Sequence, residues 1–459
     1  MFFCSTVGQN QIKHAAVQQP RVSSFGRLRY IGRIVQKMGA VSAALLPLSL
    51  TAQANVTPAA LFSDHAVLLA GAQVPVWGTA RPGEKVVVSV VGKTAETITR
   101  PDGKWTARLS RLKMGGPYTL TIRGDNTVVI NDVLVGETWL ASGQSNMDFT
   151  VARTEKKYFA GVENEAQELA IANFPQIRVF TVDLQMTGEP QSDVSGHWAV
   201  CSPQTVGDMS AVAYFFAREL HQTRHVPVGM VVCAWGASTA EAWTSRAALE
   251  ADKELAPFVQ AFDAKRTAYT PDIAQKDRDA QTAWQAEVEK AKASGAKLPR
   301  APKSLDPLRD QHNATVLYNG EIAPVLPFGF RGVLWYQGES NGPSADKYAR
   351  LMQGLITDWR KANGTELPFL FVQLAAYGKP ATDPVGSVRG TVGVRDAQRQ
   401  TLAVSQTAMA SALDLGDETN IHPKRKQEVG KKSGGVWRWP LALWCTAKRK
   451  SIAGRCMQV

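Results

Sequence analysis

The sequence predicts an α/β protein: a domain built on a mostly parallel sheet, preceded by a small all-β sandwich. Three observations predict it. Short segments rich in Val, Thr, Trp and Tyr, broken by Gly and Pro turns, fill residues 55–132. Beyond Asp132, apolar runs of buried-strand length alternate with amphipathic helical stretches, the pattern of a parallel sheet covered by helices. The 459-residue length exceeds that of one ordinary domain and leaves room for both parts.

Residues 1–54 read as a leader with an export signal. Arg27, Arg29, Arg33 and Lys37 precede the apolar stretch "MGAVSAALLPLSL", and "TAQA" then spaces Ala52 and Ala54 for cleavage. Pro47 and the strand-like pattern after Asn55 argue against a buried core helix there. The run ahead of Met38 is long for such a leader, which places a second candidate start further along. This leader sets a periplasmic or secreted location as the expectation.

The formal charge of +12 invites a nucleic-acid partner until its position is considered. Thirteen of the basic residues lie in 1–54 and 431–459, where no acid answers them, so the body between is near neutral. That distribution argues against nucleic-acid binding. No uncharged apolar run is long enough for stable membrane insertion of the mature chain. The cysteines at 4, 201, 233, 445 and 456 form no CxxC spacing and no even framework, so neither a metal site nor a disulfide scaffold is expected. The oligomeric state is not legible.

In the sandwich region "KVVVSVVG", "KWTARL" and "YTLTIRG" are strands, separated by "RPGE", "RPDG" and "KMGGP". In the region 133–432 the strands are "VLVGETWLA", "VPVGMVVCAWG", "GFRGVLWYQG", "LPFLFVQLA" and "TAMASALDLGD". Helices such as "AVAYFFARELHQ" and "ADKYARLMQGLITDWRKA" separate them. Residues from about 251 to 314 are charged, Ala-rich and helical up to Gly295 and Pro299, and read as a solvated helical insertion.

Four polar clusters follow predicted strands: "SGQSNMD" (142–148), "CAWGASTAEAW" (233–243), "WYQGESN" (335–341) and "DLGDETNIHP" (414–423). In open α/β sheets reactive groups gather beyond the carboxyl ends of strands. A serine hydroxyl becomes a nucleophile when a neighbouring base takes its proton. Ser145 sits in a tight Gly-Gln-Ser-Asn turn, and His422 sits in a polar loop stiffened by Pro423. The other histidines lie in the leader, the sandwich, a charged helix end or outside any strand-end setting. Acyl transfer also needs donors aimed at the developing oxyanion, and the N–H groups of Ser145 and Gly236 with the amide of Gln337 meet that need.

The stretches "GETWLASGQSNM", "VLYNGEIAPVLPFGFRGVLWYQGESN" and "DLGDETNIHPKRKQEVG" resemble the sialate O-acetylesterase family of the SGNH hydrolase superfamily. The segment "LFSDHAVLLAGAQVPVWGTARPGEKV" resembles that family's amino-terminal sandwich, so the likeness runs from about Thr57 to Lys431. The resemblance implies an SGNH-type three-layer domain, and a serine esterase that removes O-acetyl groups from a sugar, sialic acid first, without cofactor or metal. Ser145 matches the nucleophile, His422 the base, and Gly236 and Gln337 the oxyanion positions. Asn146, Glu339 and Asn341 line the expected pocket; Glu339 is either its polar organiser or a buried carboxylate satisfied by backbone or Arg395. Acetylated xylan or another polysaccharide stays open as the substrate, and so does an inactive carbohydrate-binding remnant.

Three departures stand out. Thr419 and Asn420 occupy positions before the histidine where relatives often carry an acid, so Asp417 completes a triad or a Ser-His dyad leans on a backbone carbonyl. Ala237 replaces one glycine of a common Gly-Gly pair. The tail 433–459 lacks the amphipathic helix expected after "QEVGKK". A shifted reading frame near Lys432 accounts for that tail; the alternative is a native packing element built on Trp437, Trp439 and Trp444.

Overall fold

A computed structural model describes residues 55–436, apart from 155, 156, 158 and 380–389. The export signal, the tail tryptophans, and Cys4, Cys445 and Cys456 lie outside the described residues.

The first strands are β1 (Thr57–Pro58), β2 (Val67–Leu69), β3 (Val74–Thr79), β4 (Lys85–Val90), β5 (Lys93–Ile98), β6 (Lys104–Leu109), β7 (Gly115–Arg123) and β8 (Thr127–Gly143). Their side chains follow the period of two that a half-buried strand requires: in β6, Trp105, Ala107 and Leu109 face inward while Lys104, Thr106 and Arg108 face out. β1, β3 and β6 make a three-stranded antiparallel sheet.

The expected boundary at Asp132 falls inside a single strand. β8 is 17 residues long, alternating in exposure at its start and continuously buried from Val133 to Gly143. Its first half pairs antiparallel with β7, and β2 and β11 lie parallel to it further on. Asp132, at φ 54°, marks the change; its carboxylate takes two bonds from Arg178 at 2.9 and 3.2 Å and one from His65 at 2.7 Å. The amino-terminal strands β2, β4, β5 and β7 therefore join the sheet of the following region, giving eleven strands of mixed direction, which does not confirm a separate sandwich or a mostly parallel sheet.

The remaining strands are β9 (Phe174–Val182), β10 (Gly196–Cys201), β11 (Val228–Ala234), β12 (Gly332–Tyr336), β13 (Phe369–Gln373) and β14 (Thr407–Ser411), in the spatial order β10-β9-β11-β8-β12-β13-β14. β10 is antiparallel to β9; the other pairings along this path are parallel. From central β8 the chain builds one flank through β9 to β11 and the other through β12 to β14. β8 is thus a topological switch point, where strand order reverses and a crevice opens beyond the strand ends.

The helices are α1 (Ser145–Asp148), α2 (Glu165–Ala170), α3 (Ala211–Arg224), α4 (Arg246–Glu250), α5 (Ala256–Ala268), α6 (Pro271–Ser294), α7 (Ala345–Asn363) and α8 (Gly390–Thr401), with residues 426–436 forming α9. In α7, Tyr348, Leu351, Met352, Leu355, Ile356 and Trp359 make one buried stripe, and Gly364 at φ 76° ends the helix. Trp335 of β12 packs edge-on between Trp243 and Trp359, at 6.3 and 5.8 Å between ring centroids. The strand that carries the third polar cluster is therefore rooted in the core. None of the described helices is long and apolar enough to cross a membrane. Cys201 and Cys233 are buried free thiols.

Candidate active site

Three neighbouring strands, β11, β8 and β12, end side by side, and each hands its chain to one of the predicted polar clusters. Gly143 closes β8 at φ 146°, so near the next strand that a Cβ there would lie 2.1 Å from the carbonyl of Tyr336. Only glycine fits that approach. Gln144 then ties the turn to β12: its N–H donates to Tyr336 O at 3.0 Å, while its side-chain Oε1 accepts from the N–H groups of Gly338 and Ser340. Ser145 begins α1 directly afterwards, largely buried.

The fourth cluster arrives from β14, two strands beyond β12, by a loop that reaches back over the sheet end. It brings His422 Nε2 to 2.8 Å from Ser145 Oγ. The ring of Phe159 lies against the imidazole, 4.8 Å between centroids and 26° from parallel. The loop is held by Asn420, whose Oδ1 accepts from the N–H of His422 at 2.9 Å. Asp417 is not brought to the imidazole. It is exposed, and its Oδ1 is occupied within its own turn by Thr419 N–H, Thr419 Oγ1 and Asn420 N–H at 2.7, 2.8 and 3.1 Å. Among the described residues no carboxylate is hydrogen-bonded to the His422 ring, and Ser145 and His422 form a pair.

Behind the dyad lies a buried polar chain. Asn146, fully buried, donates from Nδ2 to Glu339 Oε1 at 2.5 Å and to Ile421 O at 3.1 Å, and accepts from Lys426 Nζ at 2.6 Å. It thereby links the serine turn, the β12 turn, the residue before His422 and the first residue of α9. Glu339 is therefore satisfied at one oxygen by Asn146; its Oε2 has no partner among the described residues. Arg395 donates to Ala375 O. Lys426 is completely buried, its ammonium 4.6 Å from the ring centre of Phe149 and 5.6 Å from that of Tyr336.

Burial sets the protonation of this group. Loss of hydration raises the Glu339 carboxyl above the usual carboxylate range, against its hydrogen bond from Asn146 and the nearby Lys426. The same loss lowers the Lys426 ammonium to about 7, with Glu339 pulling the other way. For His422, burial and then the Lys426 charge bring the imidazole down from 6.5 to about 4. At neutral pH the imidazole beside Ser145 is an unprotonated base.

On the β11 side, Gly236 approaches closely: a Cβ built there would lie 3.8 Å from that of Ser145. The N–H groups of Ser145 and Gly236 have no acceptor among the described residues. Gln337 is placed differently from the expectation. It is fully buried, both hydrogens of its amide are committed, to Ser238 O at 3.0 Å and Asn341 Oδ1 at 2.7 Å, and its Oε1 accepts from Tyr348. Asn341 likewise faces no pocket: it is fully buried, accepts from Ala240 N–H, and donates to Glu241 and Ser344. These two amides clamp the β11 and β12 turns together, which a buried amide must do because unmade hydrogen bonds are costly there.

Two site residues were not read from the sequence, Lys426 and Phe159. Lys426 hid within the basic run Lys424–Arg425–Lys426. Its sign was available in its spacing, since Lys426, Val429, Gly430 and Ser433 share the buried face of α9.

A family profile described as "SASA: Carbohydrate esterase, sialic acid-specific acetylesterase" matches residues 315–433, which include Gln337, Glu339, Asn341, His422 and Lys426. The chain is 30% identical over 389 residues to a sialate O-acetylesterase of Rattus norvegicus, covering 77% of this chain and 67% of the rat protein. It is 27% identical over 390 residues to the Homo sapiens sialate O-acetylesterase, of which it spans 65%. Among solved structures, a carbohydrate acetylesterase from Xanthomonas citri superposes with a TM-score of 0.65 at 32% identity, covering 82% of this chain and 72% of that one. With this extent of likeness, and with the serine turn and histidine loop joined as above, the chain belongs to the sialate O-acetylesterase family of carbohydrate esterases.

Proposed function

We propose that this protein is a serine esterase that hydrolyses O-acetyl esters of sialic acid through an acyl-enzyme. The observation that carries the reading is the 2.8 Å contact between His422 Nε2 and Ser145 Oγ at the switch point of the sheet. Ser145 Oγ attacks the acetyl carbonyl carbon as His422 takes its proton. The carbonyl oxygen, now negative, accepts from the N–H groups of Ser145 and Gly236, which are fixed before the charge appears. The imidazolium returns the proton to the departing sugar oxygen. Water, deprotonated by the same imidazole, then attacks the acetyl-serine carbonyl; the bond to Ser145 Oγ breaks, the imidazolium returns the proton to that oxygen, and acetate leaves.

The substrate class is supported by the names of the rat and human relatives. The relative from Xanthomonas citri is described only as a carbohydrate acetylesterase, which favours a second reading in which the acetyl group sits on another sugar. The SGNH-type arrangement fits the parallel pairing of β11, β8 and β12 and the serine at the end of β8. A periplasmic or secreted location is supported by the leader pattern of residues 1–54. A frame shift near Lys432 is supported by the change of pattern in the tail, and the coding DNA tests it: a single-base change there must restore the family's pattern.

Acetate release from O-acetylated sialic acids and from acetylated xylooligosaccharides tests the function, with Ser145→Ala as the blank. Turnover of the sialic acids, abolished in the blank, is the expected result. Turnover of the xylan fragments alone would reassign the substrate, and absence of turnover on both, with p-nitrophenyl acetate also inert, would end the esterase reading.

A further inference from the structure

A buried cation reaches the Ser145–His422 pair at one remove, through Asn146. Lys426 begins α9, four residues after His422, and its Nζ donates to Asn146 Oδ1 at 2.6 Å. Asn146 follows the nucleophile directly and donates to Ile421 O, the residue before the base, at 3.1 Å. Its second acceptor, Glu339 Oε1, lies at 2.5 Å and ties the same amide to the turn after β12. One buried amide thus measures the separation of Ser145 from His422, and Lys426 fixes which way that amide faces, because an ammonium can only donate.

We propose that Lys426 is the positioning residue of the Ser145–His422 pair: through Asn146 it holds the His422 loop against Ser145, and it sets a positive charge, not a negative one, next to the pair. The proposal rests on the reading of His422 as the base.

Among the described residues, the groups facing Lys426 are few. Glu339 comes from the turn after β12, the rings of Phe149 and Tyr336 face the ammonium, and His422 lies on the preceding loop. Asp148 of α1 is occupied by Lys157. Among the described residues, His422 has Phe159 against its ring and Lys426 as a charge that acts on it. A carboxylate behind an imidazole would raise its proton affinity and stabilise the imidazolium; a lysine lowers both. The resulting base is weaker but remains unprotonated in mildly acidic water. The consequence is an esterase that keeps its activity where a triad enzyme with an ordinary histidine has lost most of it.

The test is the pH dependence of kcat/KM on p-nitrophenyl acetate for the full chain, for Lys426→Met and for Lys426→Gln, which keeps a donor without the charge. Removing the positive charge is expected to move the acid limb upward by about one pH unit, toward the ordinary histidine value. A rate loss in both variants with the acid limb unmoved would reduce Lys426 to packing and overturn the proposal, as would an unchanged profile. The titration of the His422 ring by NMR in Ser145→Ala, with and without Lys426→Met, reads the same shift without turnover. It stays decisive where the wild-type chain hydrolyses nothing, the outcome that sinks the esterase reading instead.

Discussion

His422 Nε2 stands 2.8 Å from Ser145 Oγ across 277 positions of sequence, while Asp417, five residues before the histidine, turns away from it into its own loop. Asp417→Asn is therefore expected to leave kcat/KM on p-nitrophenyl acetate within about twofold of wild type. Loss of the orienting acid from a true triad costs about 10⁴-fold in kcat. A loss of that order in Asp417→Asn would restore the carboxylate to the mechanism.

The second expectation concerns acid. Burial and Lys426 hold the folded His422 imidazole near 4, below its ordinary 6.5. The base works unprotonated, so kcat/KM should stay level down to about pH 5 and fall with a midpoint near 4. The sign for stability follows from the same shift. Between about 6.5 and 4 the unfolded chain carries the His422 proton and the folded chain does not, so this residue's contribution to stability falls as pH drops through that window. A pH-rate profile and urea midpoints at pH 7 and pH 5 check both, and an acid limb centred near 6.5 would contradict the assigned surroundings of His422.

Gln337 supplies a third expectation, because its two candidate roles separate cleanly. If its amide served the oxyanion, truncation would slow turnover and leave stability alone. Instead it bonds Ser238 O, Asn341 and Tyr348 inside the protein. Gln337→Leu strands those partners in a dry interior, each at about 1–3 kcal/mol. The expected outcome is a urea midpoint lowered by at least about 1 kcal/mol of stability together with reduced activity; a wild-type midpoint with slow turnover would return Gln337 to the oxyanion.

The four polar clusters were legible because strand ends in an α/β chain are where unexplained polar residues collect, and Ser145, Gly236 and His422 do converge. What was not legible is which amide faces the substrate and which is spent inside. Gln337 and Asn341 have the same composition signature as oxyanion donors, and only packing shows their bonds already made. The unity of β8 was hidden for a related reason: its exposure pattern changes at Asp132, so a local reading sees two elements where the backbone makes one. Lys426 was masked by neighbours that are solvated. Its burial becomes visible only when α9 is drawn as a helix and its apolar face is followed.

Ala237 carries the last expectation. It follows Gly236 in the turn after β11 and adopts φ 58°, where a Cβ crowds the carbonyl and glycine is at ease. Ser238 N–H closes that turn onto Trp235 O at 3.3 Å, so the strain sits in the segment that presents the Gly236 N–H. Alanine in this conformation costs about 1–2 kcal/mol, and glycine gives back up to about 1 kcal/mol in the greater freedom of the unfolded chain. Ala237→Gly should therefore raise the unfolding free energy by up to about 1 kcal/mol without changing the position of the Gly236 N–H. Equal or higher stability with kcat/KM within about twofold of wild type is the expected pair of measurements. A marked loss of activity in a more stable variant would mean that the methyl group holds the oxyanion turn in register.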